Sequence, residues 1–170
     1  VIEVSGASTA NKANIRLAAN TNGVGQVFYV KSLGSGLYSI VNRHSGKAVT
    51  AASTTIANGT NIYQYDDSGS SAQKWYIKKD KSTGKYVISN SKASHIVLAT
   101  QGSAKSAGAN VQNINFVGSA PQYWNISKSS EAAAYRLDSG VYALNSVLGS
   151  SLNMQIEGAS VYKDAVAEIA

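Results

Sequence analysis

The 170-residue sequence predicts an all-β fold of three four-stranded units around one pseudo-threefold axis, and three observations carry that expectation. A phrase of Gln, any residue, aromatic, then a short apolar run occurs at Gln26-Val27-Phe28, Gln73-Lys74-Trp75 and Gln122-Tyr123-Trp124, in steps of 47 and 49 residues. Asn14, Asn61 and Asn110 keep the same two steps in register with the glutamines. The composition, with 15 Gly, one Pro, ten Tyr and 14% charged residues, suits short strands and turns better than helices. Repetition at such a period marks supersecondary units that bury a face only by sharing one core.

Taken in chain order, the first unit opens with Val1-Ile2-Glu3-Val4, continues through Ala13-Asn14-Ile15 and closes at Gln26 to Val30. A third marker, Gly, any residue, Tyr, any residue, aliphatic, opens the later units at Gly36 to Ile40, Gly84 to Ile88 and Gly140 to Leu144, and its copy before Gln26 is missing. The chain is therefore expected to begin partway through a repeat. The second unit predicts strands at Leu37 to Asn42, Lys47 to Ala51, Asn61 to Tyr65 and Lys74 to Ile77. His44-Ser45-Gly46 and Ala57-Asn58-Gly59 supply the residues that tight turns need between them. The third unit repeats the plan at Tyr86 to Asn90, Ile96 to Thr100, Asn110 to Ile114 and Tyr123 to Ile126.

Composition also bounds function. The charge of +6 invites a nucleic-acid reading, but the densest basic cluster, Lys78, Lys79, Lys81 and Lys85, falls in an expected turn without interleaved stacking rings, so no nucleic-acid partner is expected. Without cysteine there is no disulfide framework. No apolar run approaches the roughly 20 residues of a membrane helix, so no membrane insertion is expected. His44 and His95 lack a third ligand at metal spacing, and neither a metal nor another cofactor is implied. The one close acid pair, Asp66-Asp67, lies in a polar loop and not in opposed positions across a cleft, which argues against catalysis.

The Gln-x-aromatic phrases, with the Gly, Tyr and Asn markers between them, resemble the ricin B-type lectin domains, and the bacterial carbohydrate-binding modules among them in particular. The resemblance covers about residues 1–128 and implies a β-trefoil with a partial first repeat over 1–30, a second over 31–78 and a third over 79–128. Residues 129–170 then hold a linker, around Ser127 to Ala134, and the start of a further repeat. Val1 to Lys128 is one strand short of three full units. Either Gly140 to Asn145 fills the gap, pairing beside Val1 to Val4, or the tail, whose Gln155 to Ser160 aligns with Glu3 to Ser8, begins a second trefoil or lies over the barrel.

The resemblance also implies where sugar would bind: an acid on the second strand of a repeat, an aromatic platform near the end of the third, and the amide of the Gln phrase. A flat ring packs on the apolar face of a pyranose while acid and amide pair with hydroxyls. Carried over, the first repeat has Glu3 as acid, with Arg16 and Gln26, but Ala18 at the platform. The second has Tyr65 and Tyr63 as rings, with Thr50, Asn61 and Gln73 as polar partners, and Asp66 or Asp67 standing in for the missing acid. The third offers Ala99 and Ile114, which suit neither role. The second repeat is thus the expected site. The alternative assignments are structural: Phe28, Trp75 and Trp124 as core around the axis, the three glutamines bonded to backbone at a buried corner, and Tyr38, Tyr86 and Tyr142 as scaffold.

The function implied is a noncatalytic module that binds glycans or polysaccharide, in a secreted or cell-surface bacterial protein and attached to other domains. A structural or protein-interaction trefoil with degenerate sugar sites is the alternative.

Overall fold

A computed structural model describes residues 1–53 and 55–127, together with two short strands further on. The chain divides into two compact units, Val1–Glu131 and Ala132–Ala170. In the second, β11 (Met154–Ile156) pairs antiparallel with β12 (Ala167–Ile169). The expected strand at 141–145 and the expected linker at 129–134 lie outside the described residues.

The first unit is built from ten strands and five single 3-10 turns: β1 (Ile2–Val4), β2 (Ile15–Leu17), β3 (Phe28–Gly34), β4 (Leu37–Asn42), β5 (Ala48–Ala51), β6 (Ile62–Tyr65), β7 (Trp75–Lys79), β8 (Tyr86–Asn90), β9 (Ala93–Thr100) and β10 (Val111–Asn115). Three antiparallel pairs are equivalent by the repeat. β1 sets Glu3 opposite Arg16 on β2, β5 sets Thr50 opposite Tyr63 on β6, and β9 sets Ala99 opposite Gln112 on β10. Isolated bridges Asn14 to Tyr63, Asn61 to Gln112 and Arg16 to Asn110 then join the three pairs to one another in a closed cycle.

Two hairpins, β3–β4 and β7–β8, join the first unit to the second and the second to the third. β3 turns into β4 through Ser35 and Gly36, both at positive φ, the two-residue turn whose twist matches the strands it joins. The predicted turns at Gly46 and Gly59 likewise use positive φ. β7 lies between β4 and β8, whereas β3 pairs only with β4 among the described strands. The strand expected at Tyr123 to Ile126 is reduced to one bridge, Trp124 to Tyr86, with both backbone bonds at 2.8 Å. A strand needs a ladder of consecutive pairs, and among the described residues only Trp124 has a partner.

Inward positions repeat with the chain. Ile15, Ile62 and Val111 are fully buried, joined by Val4, Val49, Leu98, Ile40, Ile88, Ala51 and Trp75 in one core. Removing each large aliphatic side chain from water contributes about 1.5–3 kcal/mol. Phe28 and Trp124 pack against this core from partly buried positions, so the three rings are not equivalent. The side chains that close around the axis are the asparagines. Asn14 Nδ2 donates to Asn110 Oδ1, Asn110 Nδ2 to Asn61 Oδ1, and Asn61 Nδ2 to Asn14 Oδ1, at 2.9 to 3.0 Å.

Candidate functional site

Each Gln phrase builds the same corner. The Nε2 of Gln26, Gln73 and Gln122 donates to the backbone carbonyl of Ala19, Asp66 and Asn115, at 2.8, 2.7 and 2.6 Å. Their Oε1 atoms accept from the amides of Thr21, Ser68 and Val117, each at 3.0 Å. The loop after the third strand is thereby tied to the 3-10 turn that carries the glutamine. What differs between repeats is the residue facing the amide's second N–H: Glu3, Thr50 or Ala99.

In the second repeat that residue is Thr50. Its hydroxyl donates to Ala48 O at 2.8 Å and accepts from Gln73 Nε2 at 3.1 Å. Thr50 and Gln73 are both buried. Asn61 is occupied in the axial ring. The three polar partners expected at this repeat therefore belong to the scaffold, and burial keeps Thr50 and Gln73 from a ligand outside. Tyr65 is 37% exposed, and its ring lies 6.0 Å from that of Tyr63, tilted by 45°. Asp66 accepts from Lys47 Nζ and from Asn11 Nδ2, and these two bonds, Lys47 first, hold its carboxyl below the ordinary range. Among the described residues, Asp67 accepts from the amide of Gly69 alone, at 3.4 Å. The second repeat presents rings and acids on a surface without a polar floor.

The first repeat has a floor. Glu3 Oε1 accepts from Arg16 Nε at 2.9 Å and forms an ion pair with Nη2 at 2.8 Å, and Glu3 Oε2 accepts from Gln26 Nε2 at 3.1 Å. The glutamate side chain is 17% exposed and the arginine 37%, so the guanidinium lies on the solvent side of the carboxylate. Around them opens a pocket of about 390 Å³, walled by Leu17, Ala18, Ala19 and Thr21 on one side and by Ala107 and Gly108 of the third repeat on the other. Two backbone bonds hold that far wall, Gly108 N to Leu17 O and Leu17 N to Ala109 O, both at 2.8 Å.

With this geometry the likeness to known proteins becomes specific. The model of the ricin-type beta-trefoil lectin domain-like family matches residues 1–65 and 71–161. The chain belongs to that family. Among solved structures, this lectin domain is similar to the designed 3-fold symmetric protein ThreeFoil, at 32% identity and a TM-score of 0.68 over 72% of this chain and 86% of that one. It is also similar to the exo-beta-1,3-galactanase 1,3Gal43A from Clostridium thermocellum, at 26% identity and 0.68, covering 73% of this chain and 26% of the galactanase. The Rhizoctonia solani agglutinin shares the fold at 22% identity and a TM-score of 0.65, over 73% and 83% of the two chains. No curated protein matches by sequence.

Of the positions expected to bind sugar, the acid position is Glu3 in the first repeat, Thr50 in the second and Ala99 in the third, and the ring position is aromatic at Tyr65. At the third, Ile114 stands at the platform and Ala99 beneath it, but Phe116, two residues on, is 42% exposed and meets Tyr123 edge-on at 6.0 Å. Sequence reasoning missed Phe116 because it lies off the family spacing. It also missed the Ala107 and Gly108 wall, more than 100 residues along the chain from the glutamate it faces. The step from Asn14 to Asn110 was the one signal that could have brought these segments together.

Proposed function

We propose that this domain is a noncatalytic carbohydrate-binding module whose principal sugar site is the first-repeat pocket over Glu3. The convergence of Glu3, Arg16 and Gln26 at one open pocket carries the proposal, since charged hydrogen-bonding groups there are ordered, reachable and set in a concave wall. Tyr65 and Tyr63, with Asp66 and Asp67 beside them, form an accessory surface where a glycan chain gains ring contact without a buried polar partner. A single shallow site of this kind binds weakly, and attachment to other domains or further copies supplies avidity. Similarity to one quarter of a longer galactanase supports a module carried beside other domains. Polymeric glycan as ligand favours a secreted or cell-surface role in a bacterium.

A glycan array probed with the parent protein and with Glu3→Ala and Tyr65→Ala tests this. Loss of signal with Glu3→Ala and partial loss with Tyr65→Ala is expected. Retained binding by Glu3→Ala would move the site away from the first repeat. A second reading, a structural or protein-interaction trefoil, is favoured by Ala99 and Ile114 at the ligand positions of the third repeat and by the burial of Thr50. Absence of any glycan signal together with capture of a defined partner would select it.

A further inference from the structure

We infer that the first-repeat pocket selects sugars bearing a carboxylate, with the guanidinium of Arg16 as the specificity-determining group. The inference rests on sugar binding at that pocket and narrows it to uronic-acid glycans.

The hydrogen-bonding capacity left at the site carries the argument. Glu3 Oε1 already accepts from Arg16 Nε and is ion-paired with Nη2, and Oε2 accepts from Gln26. Gln26 has both amide hydrogens engaged, on Glu3 and Ala19, and its oxygen holds Thr21 N. The groups that would pair with a neutral sugar's hydroxyls are therefore nearly saturated before a ligand arrives. Arg16 differs. A guanidinium has five N–H donors; the Nε hydrogen is given to Glu3, Nη2 lies 2.8 Å from the same oxygen in an ion pair, and among the described residues the Arg16 side chain has no other polar partner. The open edge, formed by Nη1 and Nη2, is a planar fork that fits a carboxylate with two parallel bonds.

The surroundings agree. Ala18 stands where the second repeat has Tyr65, so a sugar here has no ring to stack on, and Ala19, Ala107 and Gly108 leave room beside the guanidinium. Glu3 and Arg16 cancel in charge, so an arriving anion meets a neutral pair with its donor side outward. Neither other repeat can do this, because Tyr63 and Gln112 occupy the cross-strand position of Arg16.

The test measures affinity of the full chain for trimers of galacturonate against galactose, and of glucuronate against glucose, with wild type, Arg16→Gln, Arg16→Lys and Glu3→Gln. Wild type is expected to favour at least one uronate over its neutral partner by roughly tenfold, the size of one charge-assisted bond. That preference should fall in 1 M salt. Arg16→Gln should erase it, Arg16→Lys should retain part of it, and Glu3→Gln should raise it by removing the competing carboxylate. Should Arg16→Gln unfold, the salt response and Glu3→Gln decide alone. Equal affinity for charged and neutral trimers, or a preference that survives Arg16→Gln, overturns the inference while leaving sugar binding intact. Binding of neither class overturns both.

Discussion

Asn14 donates its side-chain amide to Asn110 Oδ1 at 3.0 Å, across 96 residues of chain. With Asn61 completing the ring, each amide gives one hydrogen and receives one, so no member can be removed without leaving two others half-paired. Asn61→Ala should therefore destabilise the domain by about 1–2 kcal/mol, two bonds at about 1 kcal/mol each. Asn14→Ala and Asn110→Ala should match it by symmetry. The double variant Asn14→Ala/Asn61→Ala should cost less than the sum, because the second change breaks a ring already open. Urea unfolding reads all four; strict additivity would mean the ring does not act as a unit.

Trp75 is fully buried and its indole N–H donates to Val49 O at 3.1 Å, while Trp124 makes the same bond to Leu98 O at 3.0 Å from a partly buried position. Phe28 fills the third equivalent place with no polar atom. Trp75→Phe should cost about 2–3 kcal/mol from the vacated volume and the lost bond. Trp124→Phe should cost less, and Phe28→Leu least. An equal effect at the three positions in urea unfolding would contradict this ranking.

Features that recur were legible in the sequence. The Gln corners, the turns at Gly46 and Gly59, and strands such as Leu37–Asn42 and Tyr86–Asn90 follow from local chemistry repeated in step. Departures arise where identity recurs but surroundings do not. The family resemblance implies Thr50 and Gln73 as ligand groups, yet each is the other's hydrogen-bond partner inside the fold. Asn61 was legible as a marker, but its role depends on two residues 47 and 49 positions away. The pocket over Glu3 needs a wall from the third repeat, which no local pattern announces.

Asn113 occupies the core-facing position that is Leu17 in the first repeat and Gln64 in the second. Gln64 reaches Ser8 O and Ala10 O and accepts from Ser45 Oγ. Asn113, one carbon shorter and fully buried, has no partner for either side-chain polar atom among the described residues. Its amide thus carries a desolvation cost of about 1–3 kcal/mol without compensation. Asn113→Leu, similar in shape and apolar, should raise the thermal midpoint by a few degrees. A lowered midpoint would show that the amide is satisfied or that the extra volume does not fit.

Asp80 makes the loop between β7 and β8 sensitive to acid. Its Oδ1 accepts from Ser82 Oγ at 2.7 Å and from Thr83 N and Oγ1, both at 2.8 Å, and these bonds lower its pKa from 3.8 to about 2, the Ser82 hydroxyl contributing most. A carboxyl more acidic in the folded chain than in the unfolded one favours folding fully above pH 3.8, and that contribution disappears as the pH falls through about 2. The residue is half-buried in a surface loop where solvent screens its charge, so the effect on global stability is small and the loop itself is the sensitive reporter. Carboxyl chemical shifts followed by NMR should give Asp80 a midpoint near 2, with the Ser82 and Thr83 amides moving in the same step. In Asp80→Asn those amides should no longer respond between pH 3.8 and 2. A midpoint at the ordinary 3.8 would show that the carboxylate does not hold the turn in solution.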